Sequence, residues 1–151
     1  MVERFRVVPA AYVLLRRGDK VLLQLRRNTG YMDDHWAAAA AGHVESDESV
    51  FEAAIREARE ELGITVKAAD LLPLCAMHRT HRNGKPIDER VDFFFSCLRW
   101  EGEPRLVETD KAADLQWFAL SALPDPVVPH ELSVISTLVD GGPPPVVIFG
   151  F

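Results

Sequence analysis

One stretch of the chain, Gly42 to Ile64, carries an unusual density of carboxylates on a single predicted helix. Ser49 and Glu52 have the spacing of a capping box, in which each side chain accepts a hydrogen bond from the other residue's backbone N–H. Gly63 can adopt the left-handed conformation that ends a helix. The sequence therefore predicts a helix between Ser49 and Gly63, and the fold must bury its apolar face.

The two faces of this helix differ in chemistry. At about 100° per residue, an apolar set shares one arc, and Glu57, Glu60 and Glu61 share the next. The apolar set is Phe51, Ala54, Ile55, Ala58 and Leu62. Three converging carboxylates are the oxygen ligands that Mg²⁺ or Mn²⁺ prefers. The alternative is a solvated face with Glu52–Arg56 and Arg56–Glu60 ion pairs.

A longer pattern favours the metal-binding interpretation. Gly42 is followed after five residues by Glu48, and after seven more by Arg56-Glu57-Ala58-Arg59-Glu60-Glu61-Leu62-Gly63-Ile64. This pattern resembles the Nudix box, G-x5-E-x7-R-E-U-x-E-E-x-G-U with U apolar, at every specified position. Ala58 is the weakest match because it is small for an apolar position. The resemblance to the Nudix hydrolase superfamily, in its MutT-like form, implies an α/β fold, the α/β/α sandwich with a mixed β-sheet.

The resemblance also implies roles for the acids. Hydrolysis of a phosphoanhydride uses divalent ions to acidify the attacking water and to neutralise developing charge, so we expect Mg²⁺ or Mn²⁺ as cofactor. By resemblance, Glu60 and Glu61 are metal ligands, and Glu57 is a ligand or the general base. Arg56 orients the carboxylates through a salt bridge. Glu108 matches a downstream acid that often reaches the metals in this family, or it is a solvated loop acid.

Five alanines, Ala37 to Ala41, stand where the family has a Pro-Gly-Gly-like entry to the box. The family residue just before the box glycine offers its backbone carbonyl to a metal, and Ala41 has that position here. Alanine tolerates neither positive φ nor close backbone approach as glycine does. We therefore expect Gly42 to take a strained left-handed conformation, in which alanine would cost about 1–2 kcal/mol.

Residues for binding a substrate are expected in two segments. A polar loop at 28–34 contains Tyr31, which either stacks on a base or anchors the loop. A predicted hairpin later in the chain supplies Arg79, Arg82 and Arg90 for phosphate groups.

The rest of the sequence predicts two hairpins, a late helix and an apolar tail. The hairpins are Phe5–Leu15 with Lys20–Leu25, and Val66–Met77 with Val91–Trp100; the helix is Pro129–Val139 and the tail is Val146–Phe149. The tail either docks on the core or joins a partner, which leaves a homodimer open. The order of elements predicts helices packed against a mixed sheet.

Composition limits the function. A chain of 151 residues with 48% hydrophobic residues predicts one domain, 1–151. A net charge of −6 argues against a nucleic-acid polymer as partner and allows a small phosphorylated ligand bridged by a cation. With no leader pattern and no apolar run near about 18 residues, we expect a cytoplasmic protein without a membrane partner. Cys75 and Cys97 are expected to be buried free thiols.

Members of the family cleave nucleoside triphosphates, dinucleoside polyphosphates, nucleotide sugars, coenzyme A and ADP-ribose. Some subfamilies share a downstream proline or tyrosine, and the corresponding segment here, Arg79 to His81, has neither. The resemblance therefore favours a nucleoside triphosphate, or another nucleoside diphosphate linked to X. Two alternatives are an isoprenoid diphosphate isomerase, disfavoured because no cysteine lies near the box, and a noncatalytic nucleotide-sensing module, disfavoured because every box acid is present.

Overall fold

A computed structural model describes residues 2–151, and within that range the chain forms eight β-strands and two α-helices. The strands are β1 (Val8–Arg17), β2 (Lys20–Arg26), β3 (Trp36–Ala38), β4 (Ala40–His43), β5 (Leu71–Arg79), β6 (Arg90–Cys97), β7 (Ala112–Ala119) and β8 (Val146–Phe149). The helices are α1 (Val50–Leu62) and α2 (Pro129–Ile135), and α2 continues into a 3-10 helix, Ser136–Asp140.

The strands form one mixed sheet in the order β3-β2-β1-β6-β5-β8, with β4 paired to β1 and β7 paired to β2. The β1–β6 and β5–β8 pairs are parallel, and the other pairs are antiparallel. Side chains of β1 alternate between two cores because successive residues of a strand point to opposite faces. Ala11, Val13 and Leu15 join the core under α1, whereas Tyr12 and Leu14 join the core that contains α2. The predicted α/β fold, with helices against a mixed sheet, is confirmed.

The alanine run forms two short strands. Ala37 and Ala38 pair with β2, and Ala40 and Ala41 pair with β1, so the chain changes partner strand at Ala39. Ala39 and Ala40 are fully buried in the core that also holds three alanines of α1, Ala53, Ala54 and Ala58. Small side chains on both elements let the helix pack closely on β4.

Local signals define α1 as the sequence predicts. The Ser49 and Glu52 side chains form both hydrogen bonds of the capping box, and Gly63 ends the helix at φ +67°. The buried stripe differs from the predicted one at three positions, because Ala53 is buried whereas Ile55 is only half-buried and Phe51 is exposed. It consists of Ala53, Ala54, Ala58 and Leu62, whereas Phe51 remains 36% exposed at its edge, against the ring of Phe95.

The remaining elements agree with the prediction in kind, with shifted limits. β5 and β6 form the second hairpin, with a register shift near Pro73, and Gly141 (φ +95°) ends the 3-10 helix after α2. The apolar tail docks on the sheet as β8, beside β5. Cys75 and Cys97 are buried and free. Within residues 2–151, neither helix has the length and apolar character that crossing a bilayer requires.

Candidate functional site

The packing of α1 on β4 brings the helix acids against the residues before and at the box glycine. Glu61 accepts a hydrogen bond at 2.9 Å from the backbone N–H of Ala41. A Cβ atom on Gly42 would lie 2.1 Å from Glu57 Oε1 and 2.3 Å from its carboxyl carbon. Gly42 is absent from the residues with positive φ, so the prediction of a left-handed Gly42 is wrong. The position requires glycine because the Glu57 carboxylate occupies the space of a side chain.

Arg56 connects four groups around this point. Its Nε and Nη2 atoms donate to the two oxygens of Glu48 at 3.0 and 2.7 Å, and Nη1 donates to Glu57 Oε1 at 2.8 Å and Glu60 Oε2 at 3.2 Å. Nη2 also donates to the carbonyl oxygen of His43 at 3.0 Å. The hydrogen bonds from Arg56 lower the pKa of Glu48 to about 2. Arg56 therefore holds the carboxylates of Glu48, Glu57 and Glu60 in position, and its role in a reaction stays a prediction.

The three helix acids do not converge as the sequence analysis expected. Arg56 donates hydrogen bonds to Glu57 and Glu60, whereas Glu61 is bonded to the Ala41 N–H instead. In residues 2–151 no three acidic, histidine or cysteine side chains lie close enough together to hold a metal ion. Burial raises the pKa of Glu57 and raises that of Glu61 well above its usual range, with the Glu57 charge contributing to the shift at Glu61. Both carboxylates therefore lie where a nearby positive charge would stabilise their anions.

A cavity of about 470 Å³ adjoins this site. Residues from β1, β2, the 28–34 loop, β4, the end of β5 and α2 line it. Those with polar side chains include Tyr12, Gln24, Arg26, Thr29, Tyr31, His43, Glu61, Arg79, His81, Asp88, Arg90, His130 and Glu131. Glu61 and the Ala41–Gly42 backbone form one side, so the cavity opens directly onto the box. Its size suits a small-molecule ligand.

Of the four residues predicted to bind substrate, Tyr31, Arg79 and Arg90 line this cavity. Arg82 does not line it; its guanidinium carbon lies 5.6 Å from the centre of the Phe151 ring instead. The sequence pattern placed three arginines in one hairpin but could not show which ones face inward.

Arg79 is held rigidly. It is 5% exposed, and its Nε and Nη2 atoms donate to the fully buried carboxylate of Asp92 at 2.7 and 3.4 Å. Burial opposes the charge on Arg79, but the hydrogen bonds and the negative charge of Asp92 outweigh it and raise the pKa of Arg79. The guanidinium therefore stays charged at the cavity wall.

Arg90 and Tyr31 border the same cavity. Nη1 of Arg90 lies 2.8 Å from Nε2 of His43, and burial together with the Arg90 charge lowers the pKa of His43. The Tyr31 ring is 40% exposed, and Arg26 fixes its loop by donating from Nε to the Tyr31 carbonyl oxygen at 3.0 Å. Base stacking by Tyr31 stays a prediction.

Three buried polar residues that line the cavity, Tyr12, His130 and Glu131, were not among the predicted site residues. The Tyr12 hydroxyl lies 3.0 Å from Nε2 of His130, and Glu131 accepts from the Ala38 N–H at 2.7 Å. Burial raises the pKa of Glu131 to about 7 and lowers that of His130 to about 2. Tyr12 and His130 are 118 positions apart, so no local pattern joins them. The available signal was two adjacent ionisable residues at the start of a predicted helix that has no other ionisable side chain.

Glu108 lies beside a second, smaller cavity of about 280 Å³. Glu61, Arg26 and Lys111 line it too, so Glu61 is common to both cavities. The downstream acid is thus placed near the box acids, as expected of a loop acid that reaches the metals. Its role stays a prediction.

The sequence of the chain resembles those of known proteins. Residues 6–138 match the family model described as the NUDIX domain. The NAD-capped RNA hydrolase NudC of Pseudomonas aeruginosa is 31% identical over 135 residues, which cover 89% of this chain and 44% of that protein. NudC of Pseudomonas fluorescens is 28% identical over the same span. The chain thus spans less than half the length of these relatives.

Solved structures show the same fold. The MutT NUDIX hydrolase from Burkholderia pseudomallei superposes with a TM-score of 0.76 at 29% identity, covering 87% of this chain and 97% of that one. A bifunctional NMN adenylyltransferase/ADP ribose pyrophosphatase from Francisella tularensis, in complex with AMP and a Mn ion, has a TM-score of 0.65 at 20% identity. That superposition covers 92% of this chain and 43% of the Francisella tularensis chain.

Proposed function

The chain belongs to the Nudix family of pyrophosphohydrolases, and we propose that it hydrolyses a phosphoanhydride bond in a nucleoside triphosphate, or in another nucleoside diphosphate linked to a second group. The observation that carries this proposal is the position of the box acids. Glu61, Ala41 and Gly42 line one cavity together with Arg79 and Arg90. One box carboxylate, Glu61, and guanidinium groups for phosphate oxygens thus border one space of nucleotide size.

The chemistry of the donor set fits Mg²⁺ or Mn²⁺, and the helix acids would have to move closer together to hold the ion. The donor set consists of carboxylate oxygens on one helix face, supplemented by the backbone of Ala41, and hard divalent cations prefer oxygen ligands. Burial raises the pKa of both Glu57 and Glu61, so a bound cation would offset an unfavourable desolvation of their anions. Glu57, Glu60, Glu61 and the Ala41 carbonyl are the residues that would hold the ion. When bound, the ion supplies an acidified water molecule and neutralises charge on the phosphate oxygens.

The protein groups then have separate tasks. Arg56 fixes Glu57 and Glu60 through hydrogen bonds of 2.8 and 3.2 Å, so the carboxylates keep their place during turnover. The fixed positive charge of Arg79 favours the phosphate end of a substrate, and Arg90 adds a second charge. A general base takes the proton of the attacking water, and we assign this to Glu57 ahead of Glu108. The Glu57 carboxylate lies against Gly42 of the box, whereas Glu108 lies in a loop beside the smaller cavity.

We propose that Tyr31 covers the nucleoside. Its loop borders the cavity beside Arg26, whose guanidinium carbon lies 5.8 Å from the Tyr31 ring centre, and the half-exposed ring offers a face to a base. Arg79 and the Tyr31 loop would thus contact different parts of one bound nucleotide.

The choice of substrate has two candidates. The net charge of −6 supports a small nucleotide over a nucleic-acid chain. The second candidate is NAD or a NAD-capped RNA, in which a diphosphate joins two nucleosides. The 31% identity to a NAD-capped RNA hydrolase over 89% of this chain supports it. Both contain the same phosphoanhydride, so the box chemistry is common to them.

The proposal also covers the domain organisation and the cellular location of the enzyme. We propose that residues 1–151 act as one Nudix domain in the cytoplasm, with a small phosphorylated substrate as partner. The shared sheet supports the single domain, because β1, near the start, pairs with β6, and β8, near residue 151, pairs with β5.

The test is turnover with a nucleotide panel. The four ribonucleoside and four deoxyribonucleoside triphosphates, ADP-ribose, NAD and a NAD-capped RNA are each incubated with Mg²⁺ and with EDTA, and products are separated by ion-exchange chromatography. We expect cleavage of at least one nucleotide with Mg²⁺ and none with EDTA. Equal turnover in EDTA would refute the metal role, and no cleavage of any member would refute the hydrolase proposal.

A further inference from the structure

Residues Pro145 to Phe151, here called the tail, lie beyond the 6–138 range of the family match and beside the cavity. Their strand, β8, is parallel to the outer edge of β5, with Arg79 opposite Phe149 in the register. Backbone hydrogen bonds fix both ends of the pairing. The Ala76 N–H donates to the Pro145 carbonyl at 2.9 Å, and the Thr80 N–H donates to the Phe149 carbonyl at 3.0 Å. The tail therefore holds the end of β5, where Arg79 and His81 enter the cavity wall.

Three aromatic contacts add to these bonds. The Phe149 ring belongs to the core that contains α2 and lies edge-on to His130, with centroids 6.2 Å apart. The Phe151 ring lies 4.7 Å from the ring of His78 and 5.6 Å from the guanidinium carbon of Arg82. The tail thus contacts two of the elements that supply cavity residues, the end of β5 and helix α2, without lining the cavity itself.

Gly150 sets how closely the tail approaches. It has φ +91°, and a Cβ there would lie 2.0 Å from the carbonyl oxygen of Thr80. This neighbour is backbone, so it cannot rotate away as a long side chain could. Thr80 is 4% exposed, and its hydroxyl donates to Glu89 at 2.7 Å and accepts from the Arg82 N–H at 3.0 Å. A displaced Thr80 would therefore move the loop that continues from Arg79.

We propose that the tail is a positioning element of the substrate site, which fixes Arg79, His81 and His130 at the cavity wall through Gly150, Phe149 and Phe151. This inference rests on the proposed nucleotide hydrolysis. The tail contacts the substrate-binding wall and not the helix acids, which β4 and β1 support. Its loss therefore weakens substrate binding and leaves the rate of the bound complex nearly unchanged.

The experiment compares Gly150→Ala and Phe151→Ala with the matched control Ile148→Ala. Ile148 lies on the same strand, is 64% exposed and points away from the core. For the nucleotide that the wild type cleaves best, we expect KM to rise about tenfold in Gly150→Ala with kcat within about twofold, since small displacements of binding groups lower affinity strongly. Phe151→Ala should show the same split more weakly, and Ile148→Ala neither change.

A second readout does not depend on turnover. Backbone hydrogen exchange of residues 78–82, followed by mass spectrometry, should become faster in Gly150→Ala and stay at the wild-type rate in Ile148→Ala. Faster exchange with unchanged KM would overturn the positioning role and leave the hydrolase intact. Equal exchange in all variants would also overturn it. A wild type that cleaves no nucleotide would instead refute the proposed function, and this inference with it.

Discussion

Substituting Gly42 by alanine separates two explanations of the box glycine. The new Cβ would lie 2.1 Å from Glu57 Oε1 and 2.8 Å from Oε2, well inside van der Waals contact. The obstructing atoms are the end of a flexible side chain, so the Glu57 carboxylate moves while the backbone of β4 stays paired to β1. We expect this movement to break the 2.8 Å hydrogen bond from Arg56 and to displace Glu57 from its place in the proposed metal site.

The magnitudes differ for stability and activity. Loss of the Arg56–Glu57 ion pair costs up to about 1 kcal/mol. Replacing glycine by alanine in a strand raises the free energy of unfolding by about 0.5–1 kcal/mol, because alanine loses less conformational freedom on folding. The midpoint of thermal unfolding should therefore change by no more than about 2–4 °C. Displacing one electrostatic group of the site should lower kcat by about 10²-fold, or about 2.7 kcal/mol in the barrier.

The assay is kcat with Mg²⁺, measured beside thermal unfolding for Gly42→Ala, Glu57→Gln and the double variant. If alanine acts through Glu57 alone, adding it to Glu57→Gln should change kcat less than about threefold, because interacting residues are not additive. Ala40→Gly, which removes a Cβ from the same strand, should keep kcat within a few-fold. A Gly42→Ala protein with wild-type kcat would refute the role given to Glu57. A drop of more than about 10 °C would show that the backbone itself requires glycine.

Three further predictions test other parts of the account. Glu60→Gln should unfold at the wild-type temperature and lose about 10²-fold in kcat, because it removes a ligand charge from an exposed position; activity within a few-fold of wild type would show a solvated acid. Asp92→Asn should destabilise the fold by about 3–5 kcal/mol in urea unfolding, since it leaves the buried charge of Arg79 unpaired; a loss below about 1 kcal/mol would contradict this. Burial raises the pKa of Glu131 to about 7, so its folded form binds more protons than the unfolded form between its ordinary pKa and that value. The stability that it contributes is full at lower pH and is lost as pH rises through about 7. Glu131→Gln should therefore be more stable than wild type at pH about 8, by on the order of 1–3 kcal/mol, and gain less at pH about 5; an equal difference at both values would refute the titration.

Sequence patterns predicted the parts of the fold that depend on near neighbours. Ser49, Glu52 and Gly63 determine the limits of α1 through contacts within a few residues, so spacing alone was sufficient. The fixed repeat of a helix predicted that Glu57, Glu60 and Glu61 share one arc of α1, but it could not predict which groups each carboxylate contacts. Phe51 shows the limit of this reasoning, since its exposure depends on where the sheet ends beneath it.

Contacts between distant elements were not predictable in the same way. Gly42 was expected to need a left-handed backbone, whereas the structure shows that the carboxylate of Glu57, fifteen positions later, fills the space of its side chain. Arg82 and Arg79 have the same chemistry in one segment, and only contacts with distant residues, Phe151 for Arg82 and Asp92 for Arg79, distinguish them. His130 and Glu131 reach that cavity because α2 packs on the face of the sheet opposite α1, and a one-dimensional pattern carries no signal for this.

The central claim is that the acids of α1 hold a divalent ion that supports phosphoanhydride hydrolysis, and a paired measurement on wild type and Glu61→Gln tests it most directly. Mn²⁺ is titrated into each protein and followed by electron paramagnetic resonance, and nucleotide turnover is measured on the same samples. Gln at this position can still accept the hydrogen bond from the Ala41 N–H, so the fold should persist. The account predicts that Glu61→Gln binds Mn²⁺ at least about tenfold more weakly and loses about 10²-fold in kcat. Equal Mn²⁺ affinity and equal turnover in the two proteins would contradict it.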